Sequence, residues 1–300
     1  MTPSPSSSVR VHQLPSVRLF IGKVIAIRSV AAALVLGAVA LSKGVATSTA
    51  SPCPLIIVSS RHASARDSTV DDRLSALREP ANPNRVPGPG SLVAVVRTDS
   101  LHRPHIFIED TTRKARRLLL PDGASEPRWS PDGRMIACVA WKSQQEPWVL
   151  TIVDVDGGHL RQPIRKFNVM GFSWSPNGQW IAANGAMATK ARGILAMVSV
   201  SANRGTVVDT LRVLADYEVG WAPDSRCIAI SRPTAIDVEE EVMAADLCLI
   251  QTNGSKCPLL VSQTFIPSAP RWVDQRHLRY TRVTRGGQES EDIVLELGPR

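Results

Sequence analysis

Three short stretches of the sequence carry residue types that could do chemistry. His102 and His105 lie three residues apart, a spacing at which two imidazoles can share a metal ion. The run DVDGG from Asp154 to Gly158 is superficially similar to the start of a calcium-binding loop. The run GFSWS at 171–175 begins like the Gly-x-Ser-x-Gly turn that exposes a serine nucleophile.

None of these stretches extends into a complete site. The two histidines have no cysteine or acid nearby in a ligand pattern, and the calcium-loop series lacks its distant glutamate, so a hairpin turn explains DVDGG better. The serine stretch ends in Ser175 where the motif needs glycine, and no α/β hydrolase domain surrounds it. There is also no phosphate-binding loop and no dinucleotide fingerprint. The sequence therefore predicts no catalytic residues, no metal ligands and no cofactor, and it favours a protein that is not an enzyme.

The cysteines indicate core residues more than a disulfide framework. The chain has five of them, Cys53, Cys138, Cys227, Cys248 and Cys257, and an odd number cannot be fully paired. Cys138 and Cys227 lie inside apolar runs and are predicted to be small core residues. Cys248 and Cys257 flank the Asn-Gly turn at 253–254, where a two-residue turn would place Cys257 opposite Ile250. A bridge between them would need a shifted register, and it stays an alternative if the protein is exported.

The net charge of +8 gives little support for nucleic-acid binding. Residues 1–43 hold five of the 35 basic side chains and none of the 27 acids, which leaves 30 against 27 in the rest of the chain. A basic cluster at 113–117 (RKARR) is predicted to be a solvated turn that protects a sheet edge, with a contact for an acidic partner or lipid headgroups as the alternative. No nucleic-acid-binding motif is present.

A repeated nine-residue pattern predicts the strands and turns that would position any functional site. It reads WSPDGRMIA at 129–137, WSPNGQWIA at 174–182 and WAPDSRCIA at 221–229, and a degenerate copy starts at Trp272. Successive tryptophans are 45, 47 and 51 residues apart. Ser, Pro, Asp and Gly in this order form a type I turn, and the apolar residues on both sides predict a β-hairpin. In the degenerate copy the strand register slips, because Leu278 follows its tryptophan by only six positions.

Between these hairpins come two further strand-like runs separated by Asp-Gly or Asn-Gly turns, so each unit holds four short strands in about 45 residues. That period and strand count are typical of a β-propeller blade. An earlier unit in 91–120 lacks the tryptophan-turn strand, and the last unit lacks a fourth strand. PLIIVSS at 54–60 is one further possible strand. We therefore predict that the two ends of the chain share a blade or meet at it, which would remove exposed sheet edges.

The W-S-P-D-G-x-x-I-A pattern resembles the TolB-type, or WD40-like, propeller repeat of bacterial extracytoplasmic proteins. The resemblance covers residues 91–300 and is specific in three copies. The resemblance implies an all-β propeller fold with tryptophans that pack between blades rather than bind a ligand. The repeats in this sequence predict a β-propeller of about five four-stranded blades, with six as the alternative. The chain departs from TolB in its blade count and in lacking the pattern of a separate N-terminal α/β domain in its first 90 residues.

The N-terminal segment has the order of a secretory signal. Basic residues and no acids precede an uncharged apolar run at 29–41, and small residues follow it. Residues 1–50 are therefore predicted to be a cleaved signal peptide, with an uncleaved membrane anchor over residues 19–41 as the alternative. Residues 51–90 read as a proline-rich linker around the one possible strand, and 91–300 as the propeller.

These features predict an exported, periplasmic or extracellular propeller that binds another envelope or extracytoplasmic protein without catalysis. No nucleic-acid partner is expected, and membrane contact is expected only through an uncleaved N-terminal segment. Two alternatives stay open at this point. The propeller is either a degenerate scaffold or a hydrolase with a site in its central channel.

Overall fold

The structure is a computed structural model, and it describes residues 55–64, 82–143, 147–165, 167–187, 192–210, 218–236, 242–256, 259–264, 269–283 and 290–299. The predicted signal or anchor segment and Cys257 lie outside these residues. In the described ranges no helix combines the length and apolar character needed to cross a membrane.

The described residues form an all-β fold of five antiparallel sheets, which are the blades of a β-propeller. The first strand along the chain is β1 (Leu55–His62). Blade 1 contains β2 (Arg85–Pro87), β3 (Leu92–Thr98), β4 (Pro104–Asp110) and β5 (Ala115–Leu118). Blade 2 contains β6 (Gly123–Trp129), β7 (Met135–Trp141) and β8 (Val149–Asp154). Blade 3 contains β9 (Asn168–Trp174), β10 (Trp180–Met187), β11 (Arg192–Ser199) and β12 (Arg204–Thr210). Blade 4 contains β13 (Glu218–Trp221), β14 (Cys227–Ile236), β15 (Val242–Gln251) and β16 (Val261–Thr264). Blade 5 contains β17 (Arg271–Trp272), β18 (His277–Val283) and β19 (Ser290–Pro299), and β1 is its fourth strand.

Strands from the two ends of the described chain share blade 5, as predicted, but the early unit does not supply the missing strand. β2 completes blade 1, and β1, which contains the possible strand predicted at 54–60, completes blade 5. β1 runs antiparallel to β19, with Leu55 opposite Pro299 and His62 opposite Ile293. The N-terminal strand thus completes the last sheet before the chain crosses to blade 1, and the backbone itself links the first and last blades.

Blades 1 and 2 depart from the predicted units in physically understandable ways. Blade 1 begins at Arg85, before the predicted start at residue 91. Its first strand was not predicted because it has only three residues, lies in a Pro/Gly-rich run and shows no strand pattern. Blade 2 has three strands instead of the predicted four, and an isolated bridge between Ile152 and Arg161 stands in place of the fourth. Pro163 has no N–H group, so it cannot donate the next hydrogen bond of that ladder. Its carbonyl accepts the N–H of Gly205 in blade 3 at 3.2 Å.

The repeated turns have the predicted hydrogen bonds. The N–H of Gly133 donates to the carbonyl of Ser130 at 2.8 Å, and the same bond recurs from Gly178 to Ser175 at 2.9 Å. Both glycines have a φ of +69°, a left-handed conformation that costs glycine nothing. The third copy places Ser225 there at +62°.

Ser175 holds its turn closed with its own side chain. It is fully buried, its hydroxyl donates to Asn177 Oδ1 at 2.8 Å, and it accepts the N–H of Trp180 at 3.0 Å. We expect Ser175→Ala to lower the free energy of unfolding by about 1–2 kcal/mol, because a buried amide then loses its acceptor. Ser201→Ala, at an exposed turn of the same blade, is the control and should change stability by less than about 0.5 kcal/mol. Urea unfolding followed by circular dichroism measures both, and equal midpoints for the two variants would contradict the expectation.

Each repeat tryptophan packs between two blades, as predicted. Trp174 and Trp272 are 2% exposed, and the indole N–H of each donates to a backbone carbonyl of the preceding blade. The four donors and their acceptor carbonyls are Trp129 to Val86 (3.1 Å), Trp174 to Arg128 (3.1 Å), Trp221 to Ser173 (3.3 Å) and Trp272 to Gly220 (3.2 Å). In the last three links the acceptor residue directly precedes a repeat tryptophan. The position equivalent to that tryptophan in blade 1 is Pro87, which has no N–H group to donate.

Four hydrophobic clusters fill the spaces between consecutive blades. They join blades 1 and 2, 2 and 3, 3 and 4, and 4 and 5. Among the residues that the structure describes, none of these clusters contains side chains from both blade 1 and blade 5. We call the faces of blades 1 and 5 that lie opposite these clusters their outward faces.

Candidate functional site

The two histidines of the candidate metal pair lie in and beside the hairpin loop between β3 and β4. Asp99 caps this loop, since its carboxylate accepts the backbone N–H groups of Leu101 (2.8 Å) and Arg103 (2.9 Å) and lies 3.3 Å from His105 Nε2. The backbone N–H of Arg103, followed by the side chains of His105 and Arg103, holds the pKa of Asp99 well below its usual range. In the described ranges no three His, Cys, Asp or Glu side chains are grouped so that they could hold a metal ion.

The calcium-like stretch is the hairpin turn after β8. Gly157 adopts a φ of +91°, and Asp156 accepts the N–H of Gly158 at 2.8 Å. The carboxylate of Asp154 contacts His159 Nδ1 at 2.8 Å and Arg161 Nη2 at 2.9 Å. These partners are cationic or hydrogen-bond donating, so they occupy the oxygens that a calcium ion would need.

The serine stretch is also part of the framework. Ser173 lies on β9, and its hydroxyl accepts the indole N–H of Trp221 at 3.1 Å. Ser175 is the buried turn residue described above. Both hydroxyl oxygens have structural partners, and none of the hydrogen bonds that the structure describes for them involves a histidine.

The thiols described by the structure are unreactive by environment. Cys138 and Cys227 are buried core residues, as predicted, and burial raises the pKa of each thiol to about 12. Cys248 is a free, partly buried thiol whose pKa is raised to about 11, first of all by burial. The alternative of a bridge to Cys257 involves a residue outside the described ranges.

We expect iodoacetamide at pH 8 to label Cys138 and Cys227 very slowly in the folded protein, because only the thiolate attacks and burial blocks access. The same two cysteines should react rapidly after unfolding in guanidinium chloride. Mass spectrometry of their separate peptides gives both rates. Equal labelling of folded and unfolded protein would show that these strands open far more often than their burial allows.

The basic cluster occupies the predicted turn between the third and fourth strands of its unit, at the start of β5. Lys114 has a φ of +52°, Arg113 lies 3.7 Å from Asp110, and Arg116 lies over the ring of Phe107 at 5.2 Å. Arg116 therefore contributes to the outward face of blade 1 as well as to the edge of the sheet.

The outward faces of the first and last blades carry charged side chains beside a few buried apolar ones such as Val95 and Val294. Side chains alternate across a strand, so on β18 the residues Leu278 and Tyr280 face blade 4 while Arg279 and Thr281 face away from it. By contrast, β7 in blade 2 is buried along nearly its whole length, with the sequence MIACVAW. This polar alternation is the sequence signal that marks an end blade.

On blade 1 the outward face is organised by Glu109. This carboxylate accepts Arg97 Nη2 at 2.7 Å and Arg85 Nη1 at 3.1 Å. The hydrogen bond from Arg97, and then that from Arg85, lowers the pKa of Glu109 below its usual value. The two arginine side chains are about half exposed, at 49% and 50%.

On blade 5 the outward face contains a cavity of about 180 Å³ that we name the blade 5 cleft. It is lined by Ala269, Arg271, Arg279, Tyr280, Thr281 and Asp292. Asp292 accepts the hydroxyl of Thr281 at 2.7 Å and also a hydrogen bond from Arg279 Nη2. The Thr281 hydroxyl, and then Arg279, lowers the pKa of Asp292, so this carboxylate is ionised near neutral pH.

The cleft has more positive than negative charge. Arg271 and Arg279 are directly opposite each other in the β17–β18 register, a placement that like charges disfavour. Both guanidinium groups act on Asp292, since each contributes to lowering the pKa of its carboxyl group. With Arg279 only 25% and Asp292 35% exposed, water screens the charges less than on an open surface. Guanidinium groups in such a setting can bind an anion.

Comparison with known structures identifies the fold. The chain is similar to the β-propeller domain of the trilobed protease from Pyrococcus furiosus, with a TM-score of 0.52 and 14% identity over 69% of this chain and 66% of that one. It is also similar to the tricorn protease, with a TM-score of 0.52 and 18% identity over 66% of this chain and 18% of that one. In each case it spans less than two thirds of the matched chain. These likenesses show a β-propeller fold and nothing about activity.

A TolB structure is also among the similar proteins. TolB from Acinetobacter baumannii matches with a TM-score of 0.41 and 13% identity over 70% of this chain and 52% of that one. The specific likeness to the TolB-type repeat lies in the tryptophan-turn pattern of the sequence. No family model matches the chain, and no curated protein matches its sequence.

Proposed function

We propose that this protein is a non-catalytic propeller that binds another protein of the cell envelope through the outward face of blade 5. The observation that carries the proposal is the blade 5 cleft. A cavity with two arginines on a sheet face is unlike the packed interfaces inside the propeller, and such half-buried charges are typical of recognition surfaces.

Export is the second part of the proposal. It is supported by the N-terminal order of basic residues, the apolar run at 29–41 and the small residues that follow. A protein exported in this way works in the periplasm or outside the cell, or stays attached to the membrane through residues 19–41. Its partner would then be another extracytoplasmic protein.

Two other functions compete with this one. A hydrolase is the first, since the trilobed and tricorn proteases contain similar propellers. The two serines of the stretch that begins like a nucleophile turn, Ser173 and Ser175, are held in framework contacts, which favours binding over catalysis at that stretch. A scaffold without a dedicated partner is the second, and the decay of the turn after Trp272 favours it.

Site-specific photo-crosslinking tests the proposal. A photo-reactive amino acid replaces Arg276, whose guanidinium reaches Glu296 on the outward face of blade 5. In the control it replaces Ser201, on an exposed turn of blade 3. The full chain is purified in mild detergent and irradiated with an envelope extract of its host, and crosslinked proteins are identified by mass spectrometry.

We expect one reproducible extracytoplasmic partner from position 276 and none from position 201. A folded protein that crosslinks to nothing at position 276 would contradict the binding function and favour a scaffold. The same partner from both positions would show that blade 5 is not the binding face.

A further inference from the structure

We propose that the basic cluster of blade 1 holds the propeller against an anionic membrane surface, with its cations among the lipid headgroups. The cluster is the run RKARR at 113–117, in the turn between β4 and β5 and at the start of β5. This inference goes beyond the proposed function and does not depend on the blade 5 cleft. It is argued from the charges of the cluster, from its place in the fold and from the point where the chain enters the propeller.

The cations of the basic cluster have few partners. Arg113 is 85% exposed, and its ion pair with Asp110 is long, at 3.7 Å. Within the ranges that the structure describes, Lys114, Arg116 and Arg117 form no ion pair with a carboxylate. Lys114 and Arg116 are also exposed, and Arg117 is partly buried. Four cations therefore extend from one turn, with one loose carboxylate contact among them.

The neighbouring acid serves the backbone of the turn. The carboxylate of Asp110 accepts the hydroxyl of Ser91 at 2.8 Å and the backbone N–H groups of Thr112 (3.0 Å) and Arg113 (3.1 Å). The N–H of Arg113, and then the hydroxyl of Ser91, lowers the pKa of Asp110 below its usual value. Glu109, the next acid along the strand, is already shared by two arginines of the outward face. The cluster thus keeps an excess of positive charge.

The basic cluster lies at the end of the propeller that carries the repeated turns, which we call the turn end. In an antiparallel blade the turn between the third and fourth strands is at the same end as the turn between the first and second. The repeated turns of successive blades also meet. A Cβ on Gly133 would lie 2.6 Å from Pro89 Cγ, and the N–H of Asn177 donates to Ser225 Oγ at 3.0 Å. The cluster and these turns therefore face the same side.

The chain enters the propeller at the turn end as well. β18 starts at His277, directly after the turn that follows Trp272, and β19 runs back antiparallel to it. The end of β19 at Pro299 therefore lies at the turn end, and Leu55, the first residue of β1, is opposite Pro299. If residues 19–41 stay as an anchor, they join the propeller at this end. Stable attachment to a membrane usually takes two signals, such as an inserted segment and a basic patch.

A lipid surface explains the distribution of cations better than edge protection does. Edge protection needs charges on the strand itself, whereas Arg113 and Lys114 precede β5. Arg134 and Arg204 start strands at the same turn end, are exposed and form no ion pair in the described part of the chain. Cations spread over several turns of one end match headgroups, which repeat across a surface. Each Lys or Arg near an anionic membrane strengthens binding about fivefold.

Photo-crosslinking from the two ends of blade 1 tests the inference. A photo-reactive amino acid replaces Thr112, beside the cluster, or Leu101, which is 68% exposed in the loop at the opposite end of the same blade. The full chain is transferred from mild detergent into vesicles of phosphatidylcholine alone, or of phosphatidylcholine with about one third phosphatidylglycerol. After irradiation, mass spectrometry counts the lipid adducts per chain.

With the anionic vesicles we expect at least about fivefold more lipid adducts from position 112 than from position 101, and than from position 112 with neutral vesicles. Arg113→Gln combined with Lys114→Gln should lower the adducts from position 112 at least about fivefold. Lys142→Gln combined with Arg192→Gln is the matched control, since it removes the same charge at the opposite end of blades 2 and 3 and should change nothing. Thermal unfolding confirms that each variant is folded.

Three results would overturn the inference. Equal adducts from positions 112 and 101 would show that no particular end faces the membrane. Equal adducts from position 112 with neutral and anionic vesicles would show that charge does not hold the turn end there, and an equal loss in the two double variants would show a general charge effect.

Adding an envelope extract of the host to the anionic vesicles separates lipid from protein as the ligand. Lipid adducts should persist at position 112. Their replacement by one protein would assign the basic cluster to an acidic protein and overturn the inference. The crosslink from position 276 reports the proposed partner separately, so either proposal can fail while the other stands.

Discussion

Replacing Trp174 with alanine is expected to lower the free energy of unfolding by about 4 kcal/mol. The indole is 2% exposed within the cluster that joins blades 2 and 3, and its removal leaves a cavity between two sheets. The carbonyl of Arg128 also loses the N–H that it accepts at 3.1 Å. Guanidinium chloride unfolding followed by circular dichroism measures the change, at equal m-values for the two proteins.

Trp174→Phe separates the two contributions. It keeps most of the apolar volume but removes the indole N–H, so it should cost about 1–2 kcal/mol. A phenylalanine variant as unstable as the alanine variant would show that the hydrogen bond, and not the packing, decides the stability. An alanine variant with the midpoint of the parent protein would show that this interface does not limit unfolding.

The second large effect is expected at Asp209, whose side chain is 3% exposed and joins blades 3 and 4. Its carboxylate accepts Arg232 Nε at 2.8 Å and pairs with Lys256. Asp209→Asn should lower the free energy of unfolding at pH 7 by about 2–3 kcal/mol, because a buried ion pair is broken. The value is at the low end for such pairs, since Arg232 and Lys256 are 35% and 53% exposed and can turn to water. Denaturant unfolding measures it.

Asp209 also makes the stability of the fold depend on pH, and the direction of its pKa shift sets the direction of that dependence. Burial alone would raise the pKa of Asp209, but the hydrogen bonds and charges of Lys256 and Arg232 outweigh it and the net pKa is lowered. A carboxyl whose pKa is lower in the folded state stabilises the fold above its unfolded pKa of about 3.9 and loses that contribution as the pH falls. The stability difference between the parent protein and Asp209→Asn should therefore shrink from pH 5 towards pH 2. A constant difference would show that this carboxyl does not titrate with unfolding.

The fold was readable from the sequence where local geometry demands particular residues. A type I turn favours Ser, Pro, Asp and Gly in the order found at 130–133, and the tryptophan before the turn packs against the preceding blade. Three copies of this pattern made the repeat recognisable. The first strand of blade 1 was not readable, because Arg85–Pro87 lies in a proline-rich run and has no tryptophan. Pairing of β1 with β19 could be guessed only from two incomplete units, since no local signal connects residues so far apart.

The candidate site was not predicted at all. Arg271, Arg279 and Asp292 are scattered on three strands, and no motif relates their spacing. They come together because strand pairing sets them side by side and because alternation turns them away from blade 4. The available signal was the polar alternation in HLRYTR at 277–282, which distinguishes an end blade from the apolar strands of the internal blades.

The membership of β1 in blade 5 has a consequence for the time course of folding. Among the described strands β1 is synthesised first and its partner β19 last, and the hydrogen bond from Ser59 to Glu296 spans 237 residues. Contacts of such separation form slowly, because the entropy of closing the loop comes before the gain from pairing. Until then Ile56, Ile57 and Val58, which are 37–57% exposed even in the finished sheet, lie on an unpaired strand that other chains could extend. Blades 1 to 4 can fold in the order of synthesis. β1, the first described strand, can pair only after β19 has been made.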